Sequence, residues 1–147
     1  DREMTGIIVT GHGHFPTGLL SAIALVAGRP ENTAGVDFPE GCSPSDLKEA
    51  MIGSVKALEG EEILILADLV GGTPFNVAAA LREELRDRRI KVMAGVNMAG
   101  LVEAVFSRPV YGLDELAAAV LAAGREGIRD LDCLDSEGQE PEFEDGL

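Results

Sequence analysis

The chain has 147 residues, 46% of them hydrophobic but only 4% aromatic, and a formal charge of −14. That length makes one domain with room for an aliphatic core. The charge excludes binding to nucleic acid or an anionic membrane through a basic face, and it favours partners whose docking surface is itself basic.

No apolar run approaches the ~18 residues needed to cross a bilayer. The opening Asp1-Arg2-Glu3-Met4 carries both signs of charge and no apolar stretch, so it does not read as a signal peptide, and Met4 reads as the natural start. A cytoplasmic location is expected. There Cys42 and Cys133, which have no CxxC partner, are expected to be reduced and unpaired.

Ile7-Ile8-Val9-Thr10 is a continuous apolar run ending at glycine, which predicts a strand buried on both faces. A mostly apolar helix follows from Pro16 to Ala27, with its proline in the first turn. Gly35-Val36-Asp37-Phe38 predicts a weaker strand. Ser43-Pro44-Ser45-Asp46 reads as an N-cap, a proline at the first helical position and an acid in the first turn. Leu47, Met51, Val55 and Leu58 then recur at helical spacing, and Gly60 is expected to end that helix.

Ile63-Leu64-Ile65-Leu66-Ala67 is the clearest strand. It stops at Asp68, and Gly71-Gly72-Thr73-Pro74 opens the next helix, with Thr73 expected as N-cap and Val77, Leu81 and Leu85 facing inward. Lys91-Val92-Met93-Ala94 predicts a fourth strand, after which Asn97 is expected to cap a helix rather than bind a ligand. A last helix runs from about Leu113 to Ile128 on Leu116, Ala117, Val120 and Leu121. Residues 4–131 are expected to form the domain, and 132–147 an acidic tail, disordered or left from a linker.

This β-α alternation predicts an α/β fold: a flavodoxin-like open parallel sheet of order 2-1-3-4, with room for an extra edge strand and helices on both faces. Ligands of such sheets sit beyond the carboxyl ends of the strands, at the switch point between the first and third. There the sequence places Gly11-His12-Gly13-His14 and Asp68-Leu69-Val70-Gly71-Gly72-Thr73. A neutral imidazole is a good nucleophile, and a carboxylate on its other ring nitrogen fixes the tautomer and steadies the developing cation. Helix N-termini near Pro16 and Pro74, the hydroxyl of Thr73 and the backbone at Gly13, Gly71 and Gly72 are expected to receive an anion. His12 and Asp68 are therefore the candidate catalytic pair. His14 either touches a partner or packs near the helix start. His12 and His14 lack a third and fourth ligand, so no metal is expected. Neither a complete GxGxxG nor a P-loop is present, so no nucleotide cofactor is expected.

Three ordered stretches carry a family resemblance. Ile7-Ile8-Val9-Thr10-Gly11-His12-Gly13, then Gly18-Leu19-Leu20, resembles the phosphorylation segment of the sugar-phosphotransferase (PTS) IIA components of the mannose/fructose/sorbose family. Ile65-Leu66-Ala67-Asp68-Leu69-Val70-Gly71-Gly72-Thr73-Pro74-Phe75-Asn76 resembles its second signature, and Ala94 to Glu103 its third. Gly124-Arg125-Glu126-Gly127-Ile128 is similar to the end of its last helix. The Asp68–Phe75 wording is similar to the amino-sugar (N-acetylgalactosamine) branch.

The resemblance implies a phosphoryl carrier. His12 would accept phosphate from the small carrier HPr and pass it to a IIB domain, which phosphorylates sugar entering through membrane IIC and IID subunits. It implies that Asp68 orients the histidine, that Thr73 lies near the phosphate, and that the protein is a homodimer with an exchanged edge strand. With no IIB domain behind the tail, the chain is expected to be a free-standing subunit or a fragment cut at a linker. The rival readings are a dihydroxyacetone-kinase-type phosphocarrier, a regulatory phosphoprotein, and a flavodoxin-like ligand-binding module without chemistry.

Overall fold

In a computed structural model of the chain, residues 4–137 are described. The elements run β1 (Gly6–His12), α1 (Phe15–Ala27), β2 (Thr33–Phe38), α2 (Pro44–Ala57), β3 (Glu62–Ala67), α3 (Thr73–Glu84), β4 (Arg89–Ala94), α4 (Met98–Ser107), α5 (Leu113–Glu126) and α6 (Leu131–Glu137). The strands form one parallel sheet in the order β2-β1-β3-β4. This is the expected order, and among the described residues no extra strand joins it.

Alternation along each strand splits the core into two layers. Ile7, Val9, Leu64 and Leu66 face Ile23, Leu101, Leu116 and Val120, so α1, α4 and α5 cover one face. Ile8, Ile63, Ile65 and Ile90 face Leu47, Met51, Val55, Ala78 and Leu81, so α2 and α3 cover the other. Because both faces are buried, the strands read as unbroken apolar runs, and each buried Ile or Leu contributes about 1.5–3 kcal/mol.

The start of α2 is as expected, and several other boundaries differ. Ser43 caps α2 in a full capping box, its hydroxyl accepting from the Asp46 amide and the Asp46 carboxylate from the Ser43 amide. That helix ends at Ala57 with Leu58 as cap, and Gly60 sits two residues later at φ 90°. Gly72, not Thr73, is the N-cap of α3. Leu121 is 46% exposed rather than inward. Val77 and Leu85 are partly buried beside buried Leu81. The segment opening the acidic tail is helical over Leu131–Glu137, where composition pointed to disorder; the rest of that tail lies outside the described residues.

The amino-terminal edge of the sheet is held by one buried guanidinium. Arg108, at the C-cap of α4, donates from Nη1 to the carbonyls of Thr5 (3.1 Å) and Asn32 (3.2 Å) and from Nη2 to that of Glu31. It ties the start of β1 to the α1–β2 connection, and burial lowers its pKa despite the nearby Glu31 carboxylate. Arg108→Ala would remove the donor of the Thr5 carbonyl and the second donor of the Asn32 and Glu31 carbonyls, which keep the Ile7 amide and the Thr33 hydroxyl. It should lower the unfolding free energy by about 2–4 kcal/mol in urea titrations.

Candidate active site

The register of β1 with its neighbours decides what meets at the carboxyl edge. Gly11 pairs with Asp37 on β2, and Thr10 with Ala67 on β3, so Asp68 falls beside Gly11 from the other side. Two carboxylates therefore straddle one glycine. The glycine is required, because a Cβ at Gly11 would stand 2.8 Å from the Asp68 Cγ. His12 and His14 follow on the same strand end, and each takes one of the two acids.

Asp68 grips His12 twice through a single oxygen. Its Oδ2 accepts the His12 backbone N–H at 2.9 Å and bonds the ring Nδ1 at 2.9 Å. Burial raises the carboxyl's pKa, but the hydrogen bonds and charge of His12 outweigh it, and the pKa lies below the ordinary value of 3.8. An ionised carboxylate only accepts, so Nδ1 carries the proton and Nε2 presents its lone pair. The side chain is 47% exposed, with Asp68 behind it only 15% exposed. Phe38, opposite His12 in the register, sets its ring at 63° to the imidazole with centroids 6.1 Å apart.

The Nε2 edge of the ring lies against the start of α3. A methyl at Gly72 would stand 2.7 Å from the His12 Cε1 and 3.3 Å from Nε2. No side chain caps this helix, and Pro74 stands in its first turn without an N–H to offer. The first internal bond runs from the Asn76 amide to the Gly72 carbonyl (2.9 Å), leaving the amides of Thr73 and Phe75 without intrahelical partners. Gly71 supports the turn at φ 81°, and Gly13 turns the other loop at φ 59°. An imidazole with an open Nε2, a carboxylate on its other ring nitrogen and an open, electropositive helix end thus converge at one edge.

The second expected anion-binding end is closed. Asp37 accepts the Thr17 amide at 3.0 Å and its hydroxyl at 2.7 Å, which places a carboxylate at the start of α1. The same Asp37 bonds the Nδ1 of His14 at 3.0 Å. Sequence reasoning missed Asp37 and Thr17; the signal available was an acid between Val36 and Phe38 at the end of a strand. Asn97 caps α4, accepting the Gly100 amide at 2.9 Å, and also donates to the Gly124 carbonyl at 2.9 Å, joining α4 to the end of α5.

The arrangement is that of a flavodoxin-like α/β domain with a histidine–carboxylate pair at the switch point of its sheet. Comparison with known proteins narrows this. Residues 6–121 match the model of the family described as the PTS system fructose IIA component. The chain is 32% identical over 127 residues to the fructose-specific EIIA component of Bacillus subtilis, covering 86% of each. It is 36% identical over 133 residues to the mannose-specific EIIAB component of Escherichia coli, covering 87% of this chain but only 40% of that protein. A crystal structure of an EIIA component from Streptococcus agalactiae superposes with a TM-score of 0.83 at 43% identity, covering 88% of this chain and 99% of that one. The chain belongs to the mannose-type family of PTS IIA components, and is a phosphocarrier component of sugar uptake.

Two measurements check the site's geometry. Gly72 has an ordinary φ of −74°, so Gly72→Ala adds a methyl without backbone strain. Stability should stay within about 1 kcal/mol, while the His12 ring swings away and loses its Nδ1-protonated state in long-range nitrogen NMR. For pH, Asp68 and Asp37 both titrate lower folded than free, so their stabilisation is complete above the ordinary value of 3.8 and is lost as pH falls through their folded values. Urea stability should drop on acidification below about pH 4, and Asp68→Asn should remove part of that drop.

Proposed function

We propose that His12 is the phosphoryl acceptor, taking phosphate from phospho-HPr on Nε2 and passing it to a IIB domain. The observation that carries this reading is the double grip of Asp68 on His12, which leaves Nε2 as the free nucleophile beside the uncapped start of α3. In-line attack by Nε2 on the donor phosphohistidine forms one P–N bond as another breaks. Asp68 keeps the Nδ1 proton in place and balances the imidazolium character of the product. The amides of Thr73 and Phe75, with the Thr73 hydroxyl and the Gly71 turn, receive the phosphoryl oxygens, while Gly13 and Gly72 shape the two loops, their own amides donating to the Phe38 and Leu69 carbonyls. Transfer onward to IIB is the reverse geometry with a new acceptor, and IIB then phosphorylates sugar carried by IIC and IID. The reading needs no metal or nucleotide, and it places the protein in the cytoplasm with its donor. No described helix is long and apolar enough to cross a membrane.

We propose further that the protein works as a homodimer. Strand β4 has no partner on its outer side among the described residues. Beside it a groove of about 270 Å³ is lined by Leu66, Met93, Val96, Val120, Leu121 and Ile128, and Leu131 follows, exposed.

Incubation with phosphoenolpyruvate, Enzyme I and HPr should add one acid-labile phosphate to the intact mass, and His12→Ala should abolish it. Asp68→Asn should keep the acceptor but slow transfer about ten- to a hundredfold. Absence of any mass gain in the wild-type chain with an active donor would defeat the carrier reading.

A further inference from the structure

The structure contains a second histidine–carboxylate pair that the transfer reaction does not use. His14 bonds Asp37 through Nδ1 at 3.0 Å, as His12 bonds Asp68, and its side chain is 76% exposed. Among the described residues no hydrogen bond reaches its Nε2. The pair is not needed to finish α1. His14 is the N-cap of that helix yet makes no side-chain cap bond, and Asp37 reaches the Thr17 amide and hydroxyl on its own. An exposed hydrogen-bonded pair of this kind adds little stability. What it does is fix one face of an imidazole, with a known tautomer, two residues from His12.

The two dyads differ in what surrounds Nε2. That of His12 faces free amides, a setting for an anion. Beside His14 the helix start is already occupied by a carboxylate, and phosphate would find repulsion where His12 offers donors. With Nδ1–H committed to Asp37, the neutral ring offers only a lone pair, and the dyad as a whole carries the negative charge of Asp37. Such a group accepts a hydrogen bond from a cation. It lies on the edge that any protein must cover to reach His12, in a chain of formal charge −14.

We propose that His14, held by Asp37, is a docking acceptor for a lysine or arginine side chain on the rim of the protein phosphodonor. The inference rests on His12 being the phosphoryl acceptor. Exposed Leu69 and Val70 lie on the β3–α3 loop, at the same edge. They supply apolar contact there, and His14 supplies the polar, charge-selective one.

The test compares two donors. Phospho-HPr must dock, whereas phosphoramidate, a small chemical donor, reaches His12 without covering the edge. His14→Ala should raise the KM for phospho-HPr about tenfold, the scale of one charge-assisted hydrogen bond, with kcat and the phosphoramidate rate within about twofold. His14→Gln, which keeps an acceptor oxygen, should recover most of the loss, and His14→Lys should do worse than alanine. Three outcomes would overturn the inference: an unchanged KM in His14→Ala, an equal loss with both donors, which would make His14 a positioning residue for His12, or improved docking in His14→Lys. Failure of the underlying reading is separate, because wild-type protein would then take phosphate from neither donor.

Discussion

A single carboxylate oxygen organises the reactive edge. Asp68 Oδ2 receives both the backbone and the ring of His12. One acid therefore fixes the end of β1, the orientation of the imidazole and its tautomer together. The arrangement depends on close approach, and close approach depends on the absence of side chains at two places. Gly11 lets the carboxylate lie over β1, and Gly72 lets the ring lie over the start of α3. The remaining Asp68 oxygen, Oδ1, is buried without a partner.

The same register creates a contrast between the two loops. Asp37 and Asp68 stand at one level on either side of Gly11, yet one closes a helix start and the other leaves one open. At α1 the acid neutralises the helix end. At α3 the N-cap is glycine, proline removes one donor, and the remaining amides stay free. Electropositive character is therefore confined to the Nε2 side of His12. On the proposed function, an incoming phosphoryl group is directed to one histidine by backbone amides whose position is set by the fold.

Most of this architecture was legible in the chain. Ile63–Ala67 and Ile7–Thr10 read as buried strands because both of their faces are covered, and the order 2-1-3-4 then brought His12 and Asp68 together. What stayed hidden were features set by tertiary register. The weak apolar signal of Thr33–Phe38 gave no way to know that Asp37 would sit opposite Gly11, so its capture of Thr17 and His14 was invisible. Thr73 has the residue type of an N-cap, but the turn at Gly71 starts the helix one residue earlier. Leu121 fits the helical stripe yet falls 46% exposed beside β4, so spacing alone could not tell a core position from a surface one. The acidic stretch at Leu131–Glu137 shows the limit of composition, since local helix propensity competes with charge there.

Stability and reactivity occupy opposite ends of the sheet. At the amino-terminal edge, Arg108 and Asn32 bind backbone carbonyls of the β1 start and the loops preceding β2 and β3. Arg89, Lys91, Glu62 and Asp114 form an exposed ion network beside them. At the carboxyl edge the polar groups are fewer, several are left open, and glycines stand where side chains would otherwise fill space. Strands that run straight through two apolar layers connect the ends rigidly. A substitution in the Arg108 clamp is felt as lost stability of the whole domain, whereas one at Gly72 or His14 is expected to change the chemistry or the partner and leave the core intact. That separation lets one domain exchange a phosphoryl group repeatedly at an edge with unsatisfied groups, because the contacts that keep it folded are made elsewhere.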